Sequence, residues 1–83
     1  MQAIAERVKV AAIFAPGTRM QPVWFEWRRR KHAVTELSYF WTDHCGDATR
    51  LHFAVSDGSN VFELSYNLQD QNWTLEGVVE PHP

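Results

Sequence analysis

The stretch Val23-Trp24-Phe25-Glu26-Trp27-Arg28-Arg29-Arg30-Lys31-His32-Ala33-Val34 decides how the chain is read. Aromatics in alternation run into four consecutive cations, and an apolar, β-branched pattern then resumes. The alternation places Val23, Phe25 and Trp27 on one face and Trp24 and Glu26 on the other, the period of a strand with one buried side. Four mutually repelling cations mark a turn between two such segments. The turn holds no glycine, and two-residue hairpin turns favour residues that accept positive φ, so a slightly wider turn is expected. Pro22 suits the first residue of an edge strand, because it has no N–H to offer a ladder.

Downstream, a strand is predicted from His32 to Thr42, and it breaks its own period. Val34 lies in one alternation class, while Leu37, Tyr39 and Trp41 lie in the other. For Val34, Leu37 and Trp41 all to face the core, an extra residue near Thr35 or Glu36 must re-phase the strand. That is a β-bulge, which bends a strand and lets a small sheet curl. Asp43-His44-Cys45-Gly46-Asp47 reads as a polar connection. Leu51, Phe53 and Val55 then alternate with Arg50, His52, Ala54 and Ser56. Asp57-Gly58-Ser59-Asn60 is the clearest hairpin turn in the chain, since all four are turn formers. Phe62, Leu64 and Tyr66 form the next inward set, residues 67–72 a loop, and Trp73, Leu75 and Val79 the last inward set, with Thr74, Glu76 and Val78 outward.

Upstream, residues 4–15 alternate Val8, Val10, Ala12 and Phe14 against Arg7, Lys9, Ala11 and Ile13, as a half-buried strand does. The alanines also permit a helix with Ile4, Val8, Ala11 and Ala15 on one side. Val-Lys-Val and Ile-Phe tip the reading to strand, and Pro16-Gly17 ends either element. The expected fold is all-β: one small antiparallel meander of about six strands, strongly curled or closed into a partly open barrel, over residues 1–80. Curling limits the two exposed edges that a flat sheet would leave. Residues 81–83 are expected to be a disordered tail.

Composition agrees with a single small domain. A chain of 83 residues buries only about 60–65% of its unfolded surface. Cys45 is the sole cysteine, so no disulfide can staple the fold. Five Phe, four Trp and two Tyr compensate, each burying about 150–250 Å² when enclosed. No cationic leader precedes an apolar run and no apolar run reaches spanning length, which with the lone cysteine points to the cytoplasm and away from a membrane. The net charge of −2 hides a polarity. Residues 1–42 hold seven cations and three acids, net +4, and residues 43–83 hold one cation and seven acids, net −6. Opposed halves of this kind first suggest mutual neutralisation across the sheet, with charge runs as solvated surface.

Candidate chemistry is sparse. Asp43, His44, Cys45, Asp47 and His52 are metal-ligating types, but no CxxC, HxxxH or HExxH spacing relates them. Cys45 and His52 lack any signalled oxyanion nest or cleft. Neither set argues for a metal, a cofactor, a small-molecule substrate or an enzyme. One feature stands above these, the basic tip Arg28, Arg29, Arg30 and Lys31 beside Trp24. Cations of this kind engage phosphates and an exposed Trp stacks on a base; four phosphate contacts on a duplex give a salt slope of about −3.6. The plain alternative is a solubilising turn whose neighbouring tryptophans belong to the core. That suits Trp27. Trp24, on the opposite face, either closes the far side of a barrel or forms a surface patch, and an exposed Trp beside Arg is also the make-up of a protein–protein hot spot.

Pro22-Val23-Trp24-Phe25-Glu26-Trp27-Arg28-Arg29-Arg30, followed by Val34, Leu37 and Trp41, resembles a small bacterial domain family of unknown function. Its pattern is Pro-x-x-Phe-x-Trp-Arg-Gly-Arg, a Val-x-x-Val/Leu step and a Trp. Phe62-Glu63-Leu64 and Trp73-Thr74-Leu75-Glu76 match its later motifs, so the similarity runs from about residue 7 to 79. The chain departs at Arg29, where the family tends to have Gly. A similar module occurs at the C-terminus of some actinobacterial Y-family-polymerase-like mutagenesis proteins. The resemblance implies no catalytic residue. Together these readings predict a non-enzymatic interaction module, first for a protein partner in DNA repair or replication, and alternatively for nucleic acid bound directly through Trp24 and residues 28–31.

Overall fold

Seven strands make one antiparallel sheet in the computed structural model, which describes residues 2–17 and 19–79. They are β1 (Gln2–Ile13), β2 (Gln21–Trp27), β3 (Arg30–Ala33), β4 (Glu36–Cys45), β5 (Ala48–Ser56), β6 (Val61–Asn67) and β7 (Asn72–Val79). Their spatial order is β3-β2-β1-β7-β6-β5-β4. Among the described residues no helix is long and apolar enough to cross a membrane. The tail expected over residues 81–83 lies outside the described residues.

The two edge strands, β3 and β4, follow one another in the chain with only Val34 and Thr35 between them. Two residues reach no further than about 7–10 Å, so the sheet must roll until its edges nearly meet. Two backbone hydrogen bonds hold that crossing. The Val34 N–H donates to the Val23 carbonyl (2.9 Å) and the Thr35 N–H to the Ser56 carbonyl (2.8 Å). The result is a partly open barrel, and its interior is the core. Met20, Phe25, Phe53, Val55, Phe62, Leu64, Leu75 and Val78 are buried there. Ile4, Val8, Val10, Ala12, Trp27, Val34, Leu37 and Phe40 pack around them.

This crossing corrects the strand expected over 32–42. The phase break near Thr35 is a change of edge and not a bulge, which is why the strand count is seven. The bulge lies three residues on: the β4–β5 register slips between Leu37 and Tyr39, and the spare Ser38 hydroxyl donates to the Ala54 carbonyl (3.1 Å). Re-phasing there turns Phe40 inward, edge to face against Phe53 (5.2 Å). Trp41, expected in the core, therefore faces out and stacks on His52 (4.9 Å). A second slip on β6–β7, between Glu63 and Leu64, has the same effect at the other end. It buries Val78 (6% exposed) in place of Val79 (41%). Phe14, assigned to the inner face of β1, lies past the strand end and is 75% exposed. Residues 43–45 continue β4, so the connection there shrinks to Gly46 and Asp47.

The cationic turn is also tighter than expected. Trp27 pairs with Arg30, leaving Arg28 and Arg29 as a two-residue loop with φ of 53° and 63°. Both residues sit in the left-handed region that a side chain disfavours by about 1–2 kcal/mol. The twist of the flanking strands demands such a turn. A glycine at position 29 removes that cost but adds unfolded-chain entropy of about 0.5–1 kcal/mol. Arg29→Gly is thus expected to stabilise the domain by about 0.5–1 kcal/mol, a rise in Tm of about 3–6 °C, measurable by thermal unfolding. An unchanged or lowered Tm would show that Arg29 makes a compensating contact.

Candidate nucleic-acid interface

Strand β2 runs between β1 and β3, and its even-numbered side chains form an outer surface two rows deep. One row is Lys9–Glu26–Lys31 and the next is Ala11–Trp24–Ala33, by direct strand pairing. The alanines beside Trp24 leave its ring standing over a low surface. Cations fill the space: the Lys31 Nζ lies 4.3 Å from the ring centroid and the Lys9 Nζ 5.9 Å. Trp24 is half-buried and on the outer face, so it does not close the barrel. Trp27, on the inner face, packs edge to face on Phe62 (6.1 Å) and its indole N–H donates to Glu6 Oε2 (3.2 Å).

The tip continues this surface. Residues 28–31 are all exposed. The Arg28 guanidinium lies over the Trp27 ring (4.4 Å), and none of the four forms an ion pair among the described residues. The structure therefore brings Trp24 and Lys31 together directly, sets Arg28 and Arg29 at the turn, and places Arg30 at the start of β3. Lys9 joins them from β1, a residue that the sequence alone did not single out. Its signal is the period of two from Arg7, which puts it outward wherever β1 pairs with β2.

Beyond the tip, β3 meets the β5–β6 turn. The His32 ring stacks on Phe25 (5.0 Å, 10° between planes) and meets Phe62 edge to face (5.3 Å). Its Nδ1 lies 3.0 Å from Asp57 Oδ2. The other Asp57 oxygen accepts the Ser59 and Asn60 N–H groups, at 2.9 Å each. Burial works to raise the Asp57 carboxyl, but the N–H groups of Asn60 and Ser59 together with His32 outweigh it and hold the pKa below the ordinary 3.8.

The opposite half of the outer surface is acidic, and it holds a constellation that sequence reasoning missed. His52 is 5% exposed although it lies on the outer face. Trp41 covers it, Asp43 Oδ2 lies 2.8 Å from its Nε2, and Glu63 Oε2 lies 3.3 Å from its Nδ1. Its strand partner Ser65 donates to Glu76 Oε2 (2.6 Å). Burial also works to raise Asp43, but His52 and then Arg50 outweigh it and keep that carboxyl below 3.8. Only Asp43 and His52 of the metal-type residues named from sequence come together. His44 turns to the other face and its Nδ1 meets Thr49 Oγ1 (3.2 Å). Cys45 pairs with Ala48, four residues along the ladder from the Trp41–His52 pair, or about 13 Å. No group of three His, Cys, Asp or Glu among the described residues is placed to hold a metal ion. No family model, curated protein or solved structure matches the chain.

Proposed function

We propose that this domain is a non-enzymatic binding module that holds single-stranded nucleic acid on the outer face of β1, β2 and β3. The observation that carries the proposal is Trp24, set between two alanines with Lys31 and Lys9 over its ring. A cation on an exposed aromatic contributes about 0.5–1 kcal/mol, whereas a stacked base contributes about 1–3 kcal/mol. A base therefore displaces the lysines from the ring, and each ammonium is then free to meet a flanking phosphate. Protein-binding hot spots centre on apolar, charge-poor pockets. Trp24 is flanked instead by Ala11 and Ala33 and by a row in which Lys9 and Lys31 outnumber the single acid Glu26, which favours a polyanion whose bases are unstacked.

Titration of a labelled oligothymidylate of about eight nucleotides, within the usual site size of such surfaces, tests this at two salt concentrations. Five phosphate contacts, from Lys9 and residues 28–31, predict a slope of log affinity on log salt of about −3.5 for a single strand. Trp24→Ala should weaken binding about 5–150-fold. A duplex of the same length should bind less tightly, since its bases are not free to stack. Absence of binding by the parent at low salt would end this reading.

A protein partner is the second reading. Tyr39 is 65% exposed and leans on Trp41 (5.3 Å) along the free edge of β4, where a partner strand can add to the sheet. The resemblance to a polymerase-associated module supports a place in DNA repair or replication for either partner.

A further inference from the structure

We infer that the cleft between β3 and the β5–β6 turn holds a phosphate group of the bound strand, an inference that rests on the nucleic-acid reading above. The cleft measures about 320 Å³ and is lined by Arg30, Lys31, His32, Asp57, Ser59 and Asn60. At about 30 Å³ for each water, it has room for a phosphate together with part of its hydration.

Its donors outnumber its acceptors. Asp57 is the one acid in the lining, and both its oxygens are occupied, one by the turn N–H groups and one by His32. Its side chain is 14% exposed. Arg30 supplies a planar fork that suits two phosphate oxygens, and Lys31 a point charge. The Ser59 hydroxyl and Asn60 amide add neutral donors, and neither side chain makes a hydrogen bond among the described residues. Asp57 also fixes the positions of Ser59 and Asn60 before any ligand arrives, which lowers the ordering cost of binding.

Lys31 ties this cleft to the stacking surface. It lines the cleft while its Nζ rests on Trp24. A base on Trp24 and a phosphate in the cleft thus lie within reach of one side chain, as neighbouring units of a strand require. The cleft gives the strand a direction across the sheet, which a diffuse cationic patch does not.

Amide chemical shifts followed during titration with inorganic phosphate, and separately with the oligothymidylate, test the inference. The expected result is a saturable shift at Ser59 and Asn60 with phosphate that chloride at equal ionic strength does not produce. The double variant Arg30→Gln with Ser59→Ala, both on exposed side chains, should abolish those shifts and weaken oligothymidylate binding about tenfold. Quenching of Trp fluorescence at saturation should stay unchanged. Thermal unfolding of the variant confirms that it folds. If the parent binds the oligothymidylate and the double variant binds equally well, the cleft is refuted and the stacking surface stands. If phosphate shifts Ser59 and Asn60 but the oligothymidylate does not bind, the cleft stands and the strand reading fails. Phosphate shifts confined to Arg28 and Arg29 would overturn the cleft outright.

Discussion

Phe25→Ala should cost the domain about 3–5 kcal/mol of stability. Phe25 has no exposed surface, and with Trp27 and His32 it packs the β2–β3 hairpin onto the rest of the barrel. Its ring stacks on His32 within the hairpin and meets Phe62 of β6 edge to face at 4.9 Å. Removing a buried phenyl ring costs about 3–5 kcal/mol. A domain of this length has a total stability of about 4–12 kcal/mol, so the loss is about a quarter of it or more. The same cavity withdraws the surface on which His32 lies. Urea unfolding followed by circular dichroism should show a midpoint shifted far down, or no cooperative transition. Phe25→Leu, which keeps most of the volume, should retain a transition. A Phe25→Ala variant within about 1 kcal/mol of the parent would mean that the Phe25 ring is not packed on Phe62.

Asp57→Ala is the second large effect, and it reads out in stability and in pH. The carboxylate accepts two turn N–H groups and is the partner of His32 Nδ1. The other His32 nitrogen, Nε2, is buried without a partner, so the variant leaves the whole ring unpaired among Phe25, Trp27 and Phe62. Stranding buried polar groups in this way costs about 2–3 kcal/mol. The pH dependence follows from direction. The folded-state pKa of Asp57 is lowered, so its contribution is complete above the unfolded value near 3.8 and is lost as pH falls through the folded value. Asp43 is lowered in the same sense and acts in the same window. Parent stability should therefore fall below about pH 4, and Asp57→Ala should show a shallower acid limb from a lower plateau. An acid limb equal to the parent's would assign that loss to Asp43 alone.

Legibility from sequence followed the strength of the local signal. The alternation in Phe53-Ala54-Val55 and in Phe62-Glu63-Leu64 was plain because every inward residue is large and apolar. The turn at Asp57 was plain because its side chain caps its own backbone. What escaped were departures that only partner strands create. Nothing local distinguishes a bulge at Thr35 from a change of edge there, since both re-phase the chain by one residue. The slips at Ser38 and beside Glu63 depend on β5 and β7, and they decided Phe40 over Trp41 and Val78 over Val79. At the interface, Arg28 to Lys31 and Trp24 could be named from their run and their face. Lys9 and the turn residues Ser59 and Asn60 could not, because the strands that bring them close are 15 to 30 residues away in the chain.

One consequence of the strand order concerns how the chain reaches this state. Taken cyclically from β4, the order β4-β5-β6-β7-β1-β2-β3 is an unbroken meander in which nearly every pairing joins sequence neighbours. The exception is β1 with β7, whose register matches Gln2 with Val78. Every other ladder can form from a hairpin, on the microsecond scale of local events, but this one must wait for residues 65 to 76 apart to meet. Non-local pairing of this kind is what slows folding. A chain opened between Val34 and Thr35 and joined from β7 to β1 makes the whole meander local. It should fold faster than the natural order, while the natural order retains the two-residue crossing that rolls the sheet.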